Sequence, residues 1–172
     1  MRKSISTLLP ILVVATAMAS DDKTDRATLH GITSICTIVE VTGPTQAGPP
    51  FNKERLQAEV DSRLTAAGIG VSKDATTCLY LNLRPLPAMA KNKIPAMGKN
   101  NKPTGLYALE VSLQLMQTVA LARDPSAKTY APTWSVSNLA TAPSEDLAPT
   151  AQQITMDLAD QFVEAYRSVN PK

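Results

Sequence analysis

Between Tyr107 and Ala122 the chain keeps a strict period of two, and this run constrains the fold more than any other feature. Tyr107, Leu109, Val111, Leu113, Leu115, Gln117, Val119 and Leu121 take the odd positions. Ala108, Glu110, Ser112, Gln114, Met116, Thr118, Ala120 and Ala122 take the even ones. Side chains alternate between the two faces of a strand, so the pattern describes a strand with one buried face and one lighter, polar face.

Three more segments read as strands. Gly31 to Thr42 is rich in β-branched residues, which suit a pleated surface; Ile35, Thr37, Val39 and Val41 point one way, and Cys36, Ile38 and Glu40 the other. In Thr76 to Arg84, Leu79, Leu81 and Leu83 share a face, with Cys78, Tyr80 and Asn82 opposite. The stretch Arg123 to Lys128 reads as a turn started by Asp-Pro, and a fourth strand follows over Thr129 to Ser137, with Tyr130, Trp134 and Val136 on one face. Pro132 lacks a ladder donor, which places this strand at an edge or on a bulge.

Two segments carry helical periodicity. Asn52 to Ala67 repeats Leu56, Val60 and Leu64 at four-residue spacing, with Asn52 as N-cap and Gly68 as the stop. Thr150 to Val169 places Ile154, Leu158, Phe162, Ala165, Tyr166 and Val169 on one stripe, and Asn170-Pro171 ends it. Residues 43–50 and 143–149 read as loops. The order β-α-β-β-β-α predicts an α+β two-layer sandwich with two helices on one face of a four-stranded mixed sheet. If the first two strands are neighbours, the helix between them makes them parallel.

The amino terminus has the layout of a secretory signal. Arg2 and Lys3 precede an uncharged apolar run, Ile5 to Ala15, and Ala17-Met18-Ala19 presents small residues at a cleavage site before Ser20. The run is shorter than the roughly 20 residues a membrane span needs, and Pro10 interrupts it. The expected organisation is a signal peptide over 1–19, a flexible leader over 20–30 and one domain over 31–172. No transmembrane segment is expected after cleavage, and the expected location is periplasmic or secreted. The chain has 17 basic and 15 acidic residues, so losing Arg2 and Lys3 leaves 15 of each. That balance lacks the positive field of a nucleic-acid binder, and no nucleic-acid partner is expected.

Chemistry-bearing groups are sparse. The one histidine, His30, lies about 20 Å along an extended chain from Cys36, too far for a dyad. His30, Cys36 and Cys78 fall short of the four ligands of structural zinc. No phosphate-binding or dinucleotide-binding glycine loop is present. Asp157, Asp160 and Glu164 sit at helical spacing opposite the apolar stripe, where a solvated face is expected. Tyr130 and Trp134 read as an aromatic platform or as core. The sequence therefore nominates no catalytic residue, no metal site and no cofactor. Cys36 and Cys78 both face away from the apolar side of their strands. If these strands are adjacent, the pair can form one disulfide; otherwise both stay thiols.

One stretch stands apart. Residues 85–104 form a proline-rich loop, preceded by Arg84, with Lys91, Lys93, Lys99 and Lys102 and no acid. A hexapeptide occurs in it twice, Pro87-Ala88-Met89-Ala90-Lys91-Asn92 and Pro95-Ala96-Met97-Gly98-Lys99-Asn100. It reads either as a duplicated surface loop or as a basic arm on which Arg84, Met89, Lys91, Lys93, Met97, Lys99 and Lys102 touch a partner, an envelope protein or an anionic surface.

This layout behind a signal, with Leu64, Ala67-Gly68-Ile69 closing the first helix and Asp160-Gln161-Phe162-Val163-Glu164-Ala165-Tyr166-Arg167-Ser168-Val169-Asn170-Pro171 at the end, resembles small uncharacterised exported proteins of bacteria. It is also similar to envelope accessory modules such as the regulator of penicillin-binding protein activity and the amino-terminal module of the Tol system's periplasmic protein. The resemblance implies a non-catalytic envelope module that binds or supports a partner. The rival expectation is an exported enzyme or small-ligand carrier built from scattered residues.

Overall fold

The odd-numbered residues of the long alternating run are buried from Tyr107 to Leu115 and half-buried from Gln117 to Leu121. The computed structural model describes residues 21–43, 51–87 and 105–171. The element order is α1 (Lys23–Ala27), β1 (Ser34–Val41), α2 (Lys53–Ala66), β2 (Gly70–Val71), β3 (Cys78–Pro87), β4 (Leu106–Leu121), β5 (Asp124–Pro143), a 3-10 turn (Ser144–Asp146) and α3 (Leu147–Val169). The strands form one mixed sheet in the order β2-β1-β3-β4-β5. β1 runs parallel to β2 and β3, and the β3–β4 and β4–β5 pairs are antiparallel.

The inner face of the sheet carries Ile35, Leu79, Leu81, Leu83, Leu109, Val111, Leu113, Leu115, Trp134 and Val136. Leu56, Val60 and Leu64 of α2 and Ile154, Leu158 and Phe162 of α3 close over them. Each such side chain contributes about 1.5–3 kcal/mol by leaving water. Trp134 meets Phe162 edge-on, with ring centroids 5.1 Å apart, an arrangement that suits the ring quadrupoles. The Asn52 side chain accepts from the Arg55 amide at 2.8 Å, and Gly68 takes a φ of 86° just beyond α2.

Among the described residues there are five strands and three α-helices, where the sequence predicts four and two. β2 is held by two bonds, Gly70 N–H to Thr33 O and Ser72 N–H to Ile35 O, both 3.0 Å. A two-residue strand leaves no periodicity to read.

The expected leader carries α1 over its described part. Asp22 caps α1 by accepting from the Thr24 and Asp25 amides, and Leu29 is fully buried in the core. Asn170, just past α3, holds this segment from the far end of the chain. It accepts from the Gly31 amide at 2.8 Å and donates to the Leu29 carbonyl at 3.0 Å. The Tyr166 hydroxyl donates to Ile32 O at 2.8 Å.

β4 and β5 make a longer hairpin than the sequence predicts. The turn is Ala122-Arg123, and most of the expected turn is strand. The Asp124 carboxylate accepts from the Ser126 amide and hydroxyl, and these bonds lower its pKa from the ordinary value. β5 is an edge strand, and its register shifts between Leu115–Trp134 and Met116–Pro132, which leaves Thr133 as the extra residue. The bulge also corrects the expected shared face of Tyr130 and Trp134. Trp134 points into the core, whereas Tyr130 pairs with Thr118 on the opposite face and is exposed. The two cannot form one platform.

Candidate partner-binding face

The outer face of the sheet carries the even-numbered residues of β1, β3 and β4. Cys36, Cys78, Met116 and Pro132 lie side by side in one row. Ile38, Tyr80, Gln114 and Ser135 form the next, followed by Glu40, Asn82, Ser112 and Ser137. Then come Arg84, Glu110 and Leu139, and after them Leu86, Ala108 and Thr141. The buried cluster joins the apolar residues of α2 and α3 to the other face. Among the described residues, nothing comparable covers these rows.

Large apolar side chains are exposed here. Six are exposed among the described residues, and Ile38, Leu86, Leu106, Tyr130 and Leu139 of them lie on this face. Leu86, Leu106 and Leu139 gather at the end where β3 stops and β4 begins, with Leu106 the most exposed at 51%. Clustered apolar exposure of this kind marks interaction surfaces.

The polar groups between them are tied to one another. The Tyr80 hydroxyl donates to the Glu40 carboxylate, and the Thr42 hydroxyl donates to Asn82 Oδ1 at 2.9 Å. β3 runs on to Pro87, so residues 85–87 of the expected loop are strand, and Arg84 lies within β3 opposite Glu110. Their charged groups are 4.0 Å apart and both about half exposed, so this ion pair adds little stability and partly neutralises the arginine. The other residues nominated for the basic arm, Met89, Lys91, Lys93, Met97, Lys99 and Lys102, lie outside the described residues, as does the signal-like segment 1–19. The arm's two roots, Pro87 and Leu106, both stand at the Leu86–Leu139 end of the face.

At the opposite end, the structure contains a Cys36–Cys78 disulfide between directly paired residues of β1 and β3, with 4.4 Å between Cα atoms. It lines an open cleft of about 540 Å³ between β1, β2 and α2. The polar wall of the cleft is already engaged. The Thr37 hydroxyl donates to Asp61 at 2.5 Å, and Gln57 Nε2 donates to the Thr37 hydroxyl and carbonyl at 3.2 Å. Lys73 stands exposed at the rim.

His30 is exposed. Asp160 pairs with Arg63 of α2, and Asp157 accepts from Gln153. Among the described residues no group of three or more His, Cys, Asp or Glu side chains is arranged to hold a metal, and no helix is long and apolar enough to cross a membrane.

These features define a two-layer α+β protein whose mixed sheet, among the described residues, carries helices on one side only. No family model matches the chain, and a search of characterised proteins gives no match. Among solved structures, it is similar to the PelC dodecamer from Paraburkholderia phytofirmans, at 14% identity and a TM-score of 0.40, over 86% of this chain and 94% of that one. It is similar also to rare lipoprotein B from Shewanella oneidensis, at 12% identity and a TM-score of 0.39, over 78% of this chain and 96% of that one. Likeness at these scores carries neither protein's properties to this chain.

Proposed function

We propose that this protein is a non-catalytic, exported module of the cell envelope that holds an envelope protein on the uncovered face of its sheet. The observation that carries the reading is the gathering of Leu86, Leu106 and Leu139 on that face, beside both roots of the basic arm. A partner with an apolar patch and acidic flanks suits this surface. It would cover the leucines and meet the lysines of residues 88–104. Export is supported by the charged, apolar and small-residue succession before Ser20 and by the Cys36–Cys78 disulfide, which fits an oxidising compartment.

The test is recovery of the protein in envelope complexes. Exchanging Leu86, Leu106 and Leu139 together for Ser should release it, and deleting Ala88 to Lys99 should weaken the complex further. Full retention of both variants would contradict the reading.

A further inference from the structure

β5 offers an edge that is unusually easy for another strand to join. Among the described residues it pairs only with β4. Edge strands are normally protected by charges, prolines or bulges. Here such devices stand at both ends and leave the middle bare. Pro132 and the bulge at Thr133 guard one end, and Pro143 guards the other. Between them, residues 133–142 (TWSVSNLATA) hold no charge and no proline.

The hydrogen-bond phase of the ladder shows which groups point outward. The Ser144 amide bonds to Gly105 O at 3.2 Å, so the pair one step before Leu106–Pro143 is a bonded one. Bonded and non-bonded pairs alternate in an antiparallel ladder. Trp134, Val136, Asn138, Ala140 and Ala142 therefore spend their amides on β4. Ser135, Ser137, Leu139 and Thr141 turn theirs outward, and Pro143, which has no amide, falls in the same outward phase.

We propose that the protein forms a twofold homodimer in which β5 of one copy pairs antiparallel with β5 of a second, about an axis at Asn138. This register matches every outward residue with another: Ser135 faces Thr141 of the second copy, and Ser137 faces Leu139. It forms about eight backbone hydrogen bonds and brings no like charges together, because the window carries none. A contact of this kind closes on itself, as a twofold interface must.

A second observation falls on the same residue. Asn138 Oδ1 is buried and has no hydrogen-bond partner among the described residues, an unfavourable state for a polar atom. The residue itself is only half-buried, so turning its terminal amide brings the oxygen to the edge. At the axis the two Asn138 residues form a non-bonded pair, in which side chains approach most closely. Each amide can then accept from the other. The dimer also joins the two bare faces into one continuous surface, an arrangement that goes beyond the partner-binding reading and does not depend on it.

The experiment is sedimentation of the mature chain with two variants. Wild type should sediment at twice the monomer mass. Ser137→Pro removes an outward amide at the centre without touching the β4 ladder, and should sediment as a folded monomer with unchanged circular dichroism. Asn138→Cys should give a covalent dimer on non-reducing electrophoresis, since the Cα atoms of a non-bonded pair lie about 4.5 Å apart, within disulfide range. A monomeric wild type, a Ser137→Pro dimer, species that grow without limit as concentration rises, or an Asn138→Cys chain that stays uncrosslinked under oxidation would each overturn the proposal. If Ser137→Pro does not fold, the wild-type mass and the Asn138→Cys crosslink decide it.

Discussion

The Asp21 carboxylate accepts a hydrogen bond from the Trp134 indole at 2.8 Å, across 113 residues of sequence. The same carboxylate takes two bonds from the Arg26 guanidinium, at 2.8 and 2.6 Å. It thereby fastens the segment after Ser20 to the largest core side chain.

Acid should loosen this fastening. Burial alone would raise the Asp21 pKa, but the bonds from Arg26 and Trp134 and the Arg26 charge outweigh it and hold it below the ordinary 3.8. A depressed folded value means that the contribution is complete above 3.8 and is lost as pH falls through the folded value. Asp21→Asn should cost about 1.5–3 kcal/mol at neutral pH. In urea titrations its deficit against wild type should shrink as pH drops below the ordinary carboxylate value. A deficit independent of pH would show that the charge plays no part.

Asn170 is expected to matter for the same segment. Asn170→Ala removes the acceptor for Gly31 N–H and the donor to Leu29 O. Two bonds at about 0.5–1.5 kcal/mol each set the expected loss. Amide exchange should accelerate at residues 22–32 before it does in β3 and β4. Uniform acceleration would mean that the leader and the core open together.

The Cys36–Cys78 bond closes a loop with a sequence separation of 42. In the chain-entropy model, loss of this bond should lower stability by roughly 3–4 kcal/mol. Thiol counting on unfolded, non-reduced protein from an oxidising compartment should find no free thiol. Two free thiols would contradict both the bond and the oxidising location.

Much of this fold was legible because burial writes a period. The alternation of Tyr107 to Leu121 marks β4, and Pro132 correctly marks an edge with a bulge. Alternation also puts Cys36 and Cys78 on the same face, although the adjacency of their strands stayed open until the β1–β3 pairing was seen. α1 was invisible because it has no buried residue of its own and is fixed by the Asp22 cap and by neighbours remote in sequence. β2 is too short to carry a pattern. The face of Tyr130 was misread because one inserted residue, Thr133, reverses alternation along β5. The predicted strand stops at Arg84, whereas β3 runs on to Pro87, because the prolines at 85 and 87 hide its continuation opposite Leu109 and Tyr107. The candidate face was half legible. Alternation identifies a lighter side, but it cannot say whether another layer covers it. That depends on where α2 and α3 pack, and the chain sends both to the same side.

Deleting Ala88 to Lys99 should leave folding intact, since Pro and Lys supply little apolar surface to offset ordering costs of about 1–2 kcal/mol per residue. The thermal midpoint of the deletion variant should match wild type. A large drop would show that these residues pack on the core.

Site-specific photocrosslinking in intact cells tests the partner-binding face most directly. A photoreactive residue at Leu86 places the probe on the bare face beside the arm root, and one at Asp157 places it on the solvent side of α3. Leu86 should yield a discrete adduct with one envelope protein, and Asp157 none. Equal labelling from both positions, or no adduct from Leu86, would contradict a partner held on this face.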